Sequence, residues 1–336
     1  MTTKIAINGF GRIGRLVFRH LLTDQGIDVA AVNDIAPLDN LLYLLKHDSV
    51  QASPVVPFEL EGDILKWYGN GIRFTNEREP SALPWKELGV DVVIEATGRF
   101  TQRDLAAQHL QAGAKHVIIT APGKNADLTV CMGVNEGNFD PEQHQVISNA
   151  SCTTNCLAPV ALVLDDTFGI ESGFLTTVHA YTASQALVDM PSKKWRRGRA
   201  AALSIVPTTT GAAVATTLVL PQLEGKLDGL AIRVPVAAGS IIDFVAQTRE
   251  PVTVEAVHAA FEKAAQSDQM RGILGISYEE LVSADIVGSA YSALVDAGST
   301  MVIGSHTVKV LAWYDNEWGY ARRVADLAVY ISQRLA

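Results

Sequence analysis

Gly9-Phe10-Gly11-Arg12-Ile13-Gly14 is a G-x-G-x-x-G run, and the residues on either side of it decide how it is read. Before it, Lys4 to Asn8 is a short apolar stretch of the kind that forms a buried strand. After it, Arg15 to Leu22 has helical spacing, with Leu16, Val17, His20 and Leu21 on neighbouring turns. Val29 to Val32 reads as a second apolar strand, and twenty residues beyond Gly14 stands Asp34. Strand, glycine turn, helix and strand make a βαβ unit. The glycines permit the tight turn and let backbone N–H groups approach a pyrophosphate at a helix N-terminus. The acid falls where the adenosine ribose hydroxyls need an acceptor. A carboxylate there repels a 2′-phosphate, so the pattern predicts NAD rather than NADP.

The same alternation continues outward. Val90 to Ala96 repeats the strand pattern, Thr101 is placed to cap a helix, Asp104 favours its positive end and Gly113 is placed to end it. Val117 to Thr120 is the next strand. The pattern changes after Cys152. Phe174 to Tyr181, Leu230 to Val236, Ile241 to Gln247, Met301 to Ile303 and Val308 to Tyr314 read as strands, and Thr208 to Leu220, Val254 to Gln266 and Trp318 to Leu335 as helices. The expectation is an α/β chain. A Rossmann-type, doubly wound parallel sheet over 1–150 is completed by a C-terminal helix over 317–336. An α+β catalytic domain with a mainly antiparallel sheet follows over 151–316.

Bulk properties narrow the function. The chain has 336 residues, 48% of them hydrophobic and 19% charged, enough for two buried cores. A net charge of −9 argues against nucleic acid as the main partner, because backbone binding needs a basic surface. The basic run Lys193 to Arg199 is read as a solvated face. Three cysteines suggest free thiols in a reducing compartment. The N-terminus enters a strand pattern with no signal-peptide layout, and no apolar run reaches the ~18 residues of a membrane span. The expected location is the cytoplasm.

Ser151-Cys152-Thr153-Thr154-Asn155-Cys156, read with His179, is the second informative stretch. A free thiol has a pKa near ~8.5, so about 3% is thiolate at pH 7. Two features are candidates to lower it: a helix from Thr154 to Leu164, against which Pro159 counts, and an ion pair with His179. Cys131 and Cys156 read as small buried residues. No second Cys or His pair has zinc spacing, so no metal is expected.

Asn8 to Arg15, Ser148 to Pro159 (SNASCTTNCLAP), His179 to Gln185 (HAYTASQ), Thr210 to Ala213, Arg233 to Pro235 and Trp313 to Tyr320 (WYDNEWGY) together resemble the phosphorylating glyceraldehyde-3-phosphate dehydrogenases. The resemblance implies an oxidoreductase of glycolysis and gluconeogenesis. It would convert D-glyceraldehyde 3-phosphate, NAD and inorganic phosphate to 1,3-bisphosphoglycerate and NADH, as a homotetramer. It implies Cys152 as nucleophile and His179 as base. It implies Thr182 and Arg233 for the substrate's own phosphate, and Ser151, Thr153, Arg197, Thr210 and Gly211 for the attacking phosphate. Gly9, Gly11, Arg12, Ile13, Gly14, Asp34, Arg78, Thr120, Asn316 and Tyr320 are implied cofactor contacts. The chain departs from the family pattern at Ala186, at Val236 to Gly239 and at Gln51 to Pro57. Erythrose-4-phosphate dehydrogenase is the alternative on the same fold. It hydrolyses its thioester, and Thr182 and Thr210-Gly211 argue against it.

Overall fold

The computed structural model describes residues 2–24, 26–52, 58–67 and 70–335. Residues 53–57 of the departing stretch Gln51 to Pro57 therefore lie outside it. The chain divides into two compact units. One comprises Met1–Val130, Glu136–Ala150 and Ala321–Ala336; the other comprises Cys131–Asn135 and Ser151–Tyr320.

The first unit is built on nine strands: β1 (Thr3–Asn8), β2 (Ile27–Asn33), β3 (Glu59–Glu61), β4 (Ile64–Trp67), β5 (Asn70–Thr75), β6 (Val92–Glu95), β7 (His116–Ile119), β8 (Leu128–Thr129) and β9 (Val146–Ser148). Their order is β3-β4-β5-β2-β1-β6-β7-β9-β8. All pairings from β5 to β8 are parallel. The central strands β1, β6 and β7 are almost wholly buried, as a sheet covered on both faces requires. The edge strands β3 to β5 run antiparallel. Apolar periodicity does not announce β3, which is exposed along its whole length, and β4 and β5 bury only Leu65, Ile72 and Phe74.

Thr101 does not cap the helix that follows it. Gln102 is the N-cap, without a side-chain bond, and the segment is instead fixed by a β-bridge from Gln102 to Lys124. Backbone pairing made the cap unnecessary. Gly113 does follow the helix end at φ +110°, where a Cβ would lie 2.5 Å from Lys86 Cβ.

The second unit carries seven strands: β10 (Ile170–Ala180), β11 (Val206–Thr209), β12 (Leu227–Val234), β13 (Ser240–Thr248), β14 (Leu274–Ser277), β15 (Ala293–Ile303) and β16 (Thr307–Tyr314), in the order β11-β12-β10-β13-β16-β15-β14. Pairings are antiparallel except β10 with β12 and β14 with β15. The helical spacing over Thr208 to Leu220 is realised only as Ala212–Val219, since Val206 to Thr209 pairs with β12. β-Branched Thr208 and Thr209 suit the strand better than the helix.

A helix spans Cys152–Phe168 and runs through Pro159. A mid-helix proline costs about 3 kcal/mol. Leu157, Val160 and Leu164 are fully buried, and each contributes roughly 1.5–3 kcal/mol. The packing of the apolar helix therefore outweighs its broken hydrogen bond.

Candidate functional site

In the first unit the strand order reverses around β1, and the cavity opens at the carboxyl ends of the strands there. This is the expected ligand position in such a sheet. It has a volume of about 350 Å³, and Gly9, Gly11, Asp34 and Arg78 line it. Asn8, Asn33, Thr97, Arg99 and Phe100 also line it. Asn8 and Asn33 end β1 and β2, and Thr97, Arg99 and Phe100 follow the end of β6; that placement was their signal in the sequence. Arg12, Ile13 and Gly14 lie in the first turn of the helix Arg12–Leu21 and do not line the cavity. Arg12 pairs with Asp48 at 2.7 Å. Thr120, just past β7, donates its N–H and hydroxyl to the Glu95 carbonyl at 3.0 and 3.1 Å, and also lies outside the lining.

The three glycines have different reasons. A Cβ on Gly9 would sit 2.6 Å from Thr97 N, and one on Gly14 would sit 2.0 Å from the Gly9 carbonyl. A Cβ on Gly11 would meet no atom within 4 Å. Gly9 and Gly14 are thus needed by the turn, whereas Gly11 keeps clear a face that the protein itself does not fill. The Asp34 carboxylate accepts from Phe10 N at 2.7 Å and from Ala36 N at 2.9 Å, which fixes it at the cavity. A cleared glycine face with an anchored carboxylate fits a dinucleotide.

The second unit holds the thiol. Ser151 is the N-cap of the helix Cys152–Phe168, its hydroxyl accepting from Thr154 N at 3.0 Å. Cys152 is therefore the first helical residue, where the helix field favours a thiolate. Its Sγ lies 3.4 Å from His179 Nε2. His179 is buried on β10, and its Nδ1 lies 2.7 Å from both the Ala180 carbonyl and Arg233 Nη1. Register explains Arg233: His179 and Arg233 are paired across β10 and β12.

Electrostatics differ from the ion pair that the sequence suggests. Burial pushes the Cys152 thiol up, opposed by the Arg233 charge and by hydrogen bonds from Thr153. Burial, and then the charge of Arg233, push His179 down to about 3. Burial thus disfavours the charged form of each group, while Arg233 favours the thiolate and opposes the imidazolium. A neutral imidazole beside a thiol can take its proton as the sulfur bonds to carbon.

Around this pair lie the candidate anion groups. Arg233 Nε is buried and has no hydrogen-bond partner among the described residues. Arg197 Nε donates to Thr208 Oγ1 at 3.0 Å and its Nη2 to the Thr209 carbonyl at 3.3 Å. Its Nη1 lies 3.5 Å from Ser184 Oγ, which is itself 2.8 Å from Thr182 Oγ1. Arg197 thus links the Thr182 segment to the Thr210 segment. Thr210 Oγ1 accepts from Ala212 N at 3.1 Å, and Gly211 is the N-cap of the helix Ala212–Val219. Thr153 Oγ1 is buried against Tyr314 Oη at 2.8 Å. Ser184 and Tyr314 were not among the expected site residues, although both stand within the quoted motifs. Asn316 accepts from Ser240 Oγ at 2.8 Å, and Tyr320 is buried; both belong to the second unit. Cys131 and Cys156 are buried free thiols. Among the described residues no group of His, Cys, Asp or Glu could hold a metal ion, and no helix is long and apolar enough to cross a membrane.

A chain with a dinucleotide cavity and a half-buried thiol beside an imidazole falls in the class of NAD-linked aldehyde dehydrogenases. The comparisons narrow that class. Residues 3–103 match the family model described as glyceraldehyde 3-phosphate dehydrogenase, NAD binding domain, and residues 151–316 match that of its C-terminal domain. Similar proteins include glyceraldehyde-3-phosphate dehydrogenase of Geobacillus stearothermophilus, 55% identical over 334 residues and covering 99% of each chain. Glyceraldehyde-3-phosphate dehydrogenase 2 of Bacillus subtilis is 52% identical over 335 residues, covering 100% of this chain and 98% of its own. The Streptomyces coelicolor protein of the same name is 51% identical over 337 residues, covering 100% of both. The chain belongs to the glyceraldehyde-3-phosphate dehydrogenase family.

Proposed function

We propose that Cys152 is the nucleophile and His179 the base of a phosphorylating oxidation of glyceraldehyde 3-phosphate. The single observation that carries this is the 3.4 Å approach of Cys152 Sγ to His179 Nε2 at the start of a helix. The sulfur bonds to the aldehyde carbon while its proton passes by way of Nε2 to the carbonyl oxygen, giving a thiohemiacetal and leaving Nε2 free again. His179 then takes the proton of the new hydroxyl as hydride leaves the same carbon. NAD, when bound, supplies the hydride acceptor. The thioester left on Cys152 is attacked by inorganic phosphate, the C–S bond breaks, and the acyl phosphate departs as the thiol is restored.

Both phosphates need anion sites. Thr182 and Arg233 are assigned to the substrate's own phosphate, a role supported by the unpartnered Nε of Arg233. Ser151, Thr153, Arg197, Thr210 and Gly211 are assigned to the attacking phosphate. The hydroxyls of Ser151 and Thr153 already make internal bonds, so each would turn its proton outward while still accepting from its neighbour. Gly9, Gly11, Arg12, Ile13, Gly14, Asp34, Arg78, Thr120, Asn316 and Tyr320 are assigned to the cofactor. NAD over NADP is the expected preference, and a higher kcat/KM with NADP would overturn it. A homotetramer is supported by the exposed apolar side chains of Leu187, Val188, Trp195, Leu203 and Ile205, and is tested by sedimentation. A reducing cytoplasm suits the three free thiols.

The test is NADH formation from glyceraldehyde 3-phosphate, NAD and phosphate, with each omitted in turn. Turnover that ignores phosphate would exclude the phosphorylating step.

A further inference from the structure

Glu95 is a buried carboxylate that the chemistry above does not use. It is 1% exposed, yet among the described residues no Lys or Arg is bonded to it. Four neutral donors take the place of a cation. Asn8 Nδ2 donates to Oε2 at 2.6 Å, His109 Nε2 lies 3.1 Å from the same oxygen, Thr97 N donates to Oε1 at 2.8 Å, and the Thr97 hydroxyl donates to Oε1 as well.

The state of His109 follows from its other nitrogen. Trp85 Nε1 lies 3.0 Å from His109 Nδ1. An indole N–H only donates, so Nδ1 must accept and the ring proton must be on Nε2. His109 is therefore a neutral donor to Glu95.

The network continues under the cavity. Asn33 Nδ2 donates to Asn8 Oδ1 at 2.8 Å and to the Glu77 carbonyl at 2.9 Å, while Asn33 Oδ1 accepts from Thr75 Oγ1 and Glu77 N. Thr75, Asn33, Asn8 and Glu95 are the last residues of β5, β2, β1 and β6, four strands adjacent in the sheet. Asn8, Asn33, Glu77 and Thr97 line the cavity itself. The clamp on Thr97 also reaches the glycine turn, because Thr97 N is the atom that a Cβ on Gly9 would strike.

We propose that Glu95 is a positioning residue for the dinucleotide: its carboxylate aligns the four strand ends and holds Thr97 against the Gly9 turn. Nothing else in the network can do this, because only an ionised carboxylate accepts from four donors at once. A buried charge without a cation is costly to a fold, so an amide in its place would be tolerated for stability more easily than for site geometry. This rests on the reading of the cavity as the cofactor site.

The test is calorimetric titration of the full-length protein with NAD, beside circular dichroism and thermal melting. In Glu95→Gln the amide N–H₂ must face donors at Asn8 and His109, or at Thr97. NAD binding should weaken roughly tenfold or more, the worth of one charge-assisted hydrogen bond. KM for NAD should rise, with kcat at saturating NAD unchanged. Trp85 touches the network only through His109, so Trp85→Phe should lower the melting temperature and leave the NAD affinity within about twofold. If Glu95→Gln does not fold, Asn8→Ala removes one donor of the clamp, and is read in the same way. NAD affinity within twofold of wild type in the folded variant overturns the proposal. So does an equal loss in Trp85→Phe, which would make the network mere packing. Asp34→Asn separates the two readings: if it weakens NAD binding and Glu95→Gln does not, only the positioning role fails. If neither does, the cavity is not the cofactor site and the proposal falls with it.

Discussion

Thr153 and Tyr314, 161 residues apart in sequence, share a hydrogen bond of 2.8 Å. Tyr314 also lies 2.9 Å from Thr177 Oγ1, and its ring meets the His179 ring edge-on at 5.9 Å. The phenol is buried and ties the end of β16 to the helix that carries Cys152 and to the strand that carries His179. Tyr314→Phe leaves two buried threonine hydroxyls without this partner. We expect a stability loss of about 1–3 kcal/mol, the cost of an unsatisfied buried polar group. KM for phosphate should rise, because Thr153 loses the donor that lets it turn its proton outward. Urea unfolding and steady-state kinetics check both, and an unchanged KM would remove Thr153 from the phosphate site.

The thiol and the imidazole have separable roles. Cys152→Ser should end thioester formation and leave NAD binding intact. His179→Asn should lower kcat by about 10²–10⁴, the usual worth of acid–base catalysis. A loss under about tenfold would make His179 a structural residue. Trapping the acyl-enzyme by mass spectrometry after mixing with substrate and NAD distinguishes loss of the nucleophile from loss of the base.

Gly9 and Gly14, five residues apart in one motif, should fail differently from Gly11 between them. In Gly14→Ala the new Cβ would lie 2.0 Å from the Gly9 carbonyl, so the turn must break. We expect a destabilisation of several kcal/mol, of the order reached by overpacked core positions. Gly11→Ala meets no protein atom within 4 Å, so melting should change little. Its NAD affinity should fall, because the methyl group projects where backbone must approach the cofactor. Equal affinity for NAD in Gly11→Ala and wild type would remove Gly11 from the site.

Stability should depend on pH through His116. It opens β7 with its ring buried and Nε2 3.2 Å from the Pro141 carbonyl, and burial pushes its pKa below the ordinary value. The folded state therefore binds a proton less readily than the unfolded chain. The stability is present above about pH 6.5 and is lost as pH falls below it, by at most ~1.4 kcal/mol per pH unit. His116→Gln should lose less stability than wild type between pH 7.5 and pH 5.5, as judged by urea midpoints. Parallel curves for the two proteins would assign the acid sensitivity elsewhere.

The local architecture of the nucleotide half was legible because its signals are local. Glycine spacing, the apolar strands around it and Asp34 all lie within one βαβ unit, where neighbours in sequence are neighbours in space. The helix Val254–Gln266 was legible for the same reason, with Thr253 capping it through Ala256 N. Strand β3 was not, since it is exposed along its whole length, and β4 and β5 are short, with one and two buried apolar side chains.

By itself the sequence determined the residue types: a glycine turn, an acid, one thiol among hydroxyls and one histidine in a strand. Tertiary structure decided what each one touches. Cys152 and His179 meet only because the helix Cys152–Phe168 packs on the sheet containing β10. Arg233 reaches His179 through the register of β12 with β10, and Thr153 reaches Tyr314 through the folding of the second unit. The burial that these contacts impose works against charge on both thiol and imidazole, and Arg233 works for the thiolate. Desolvation belongs to the whole packed surround of a group, and no motif records it.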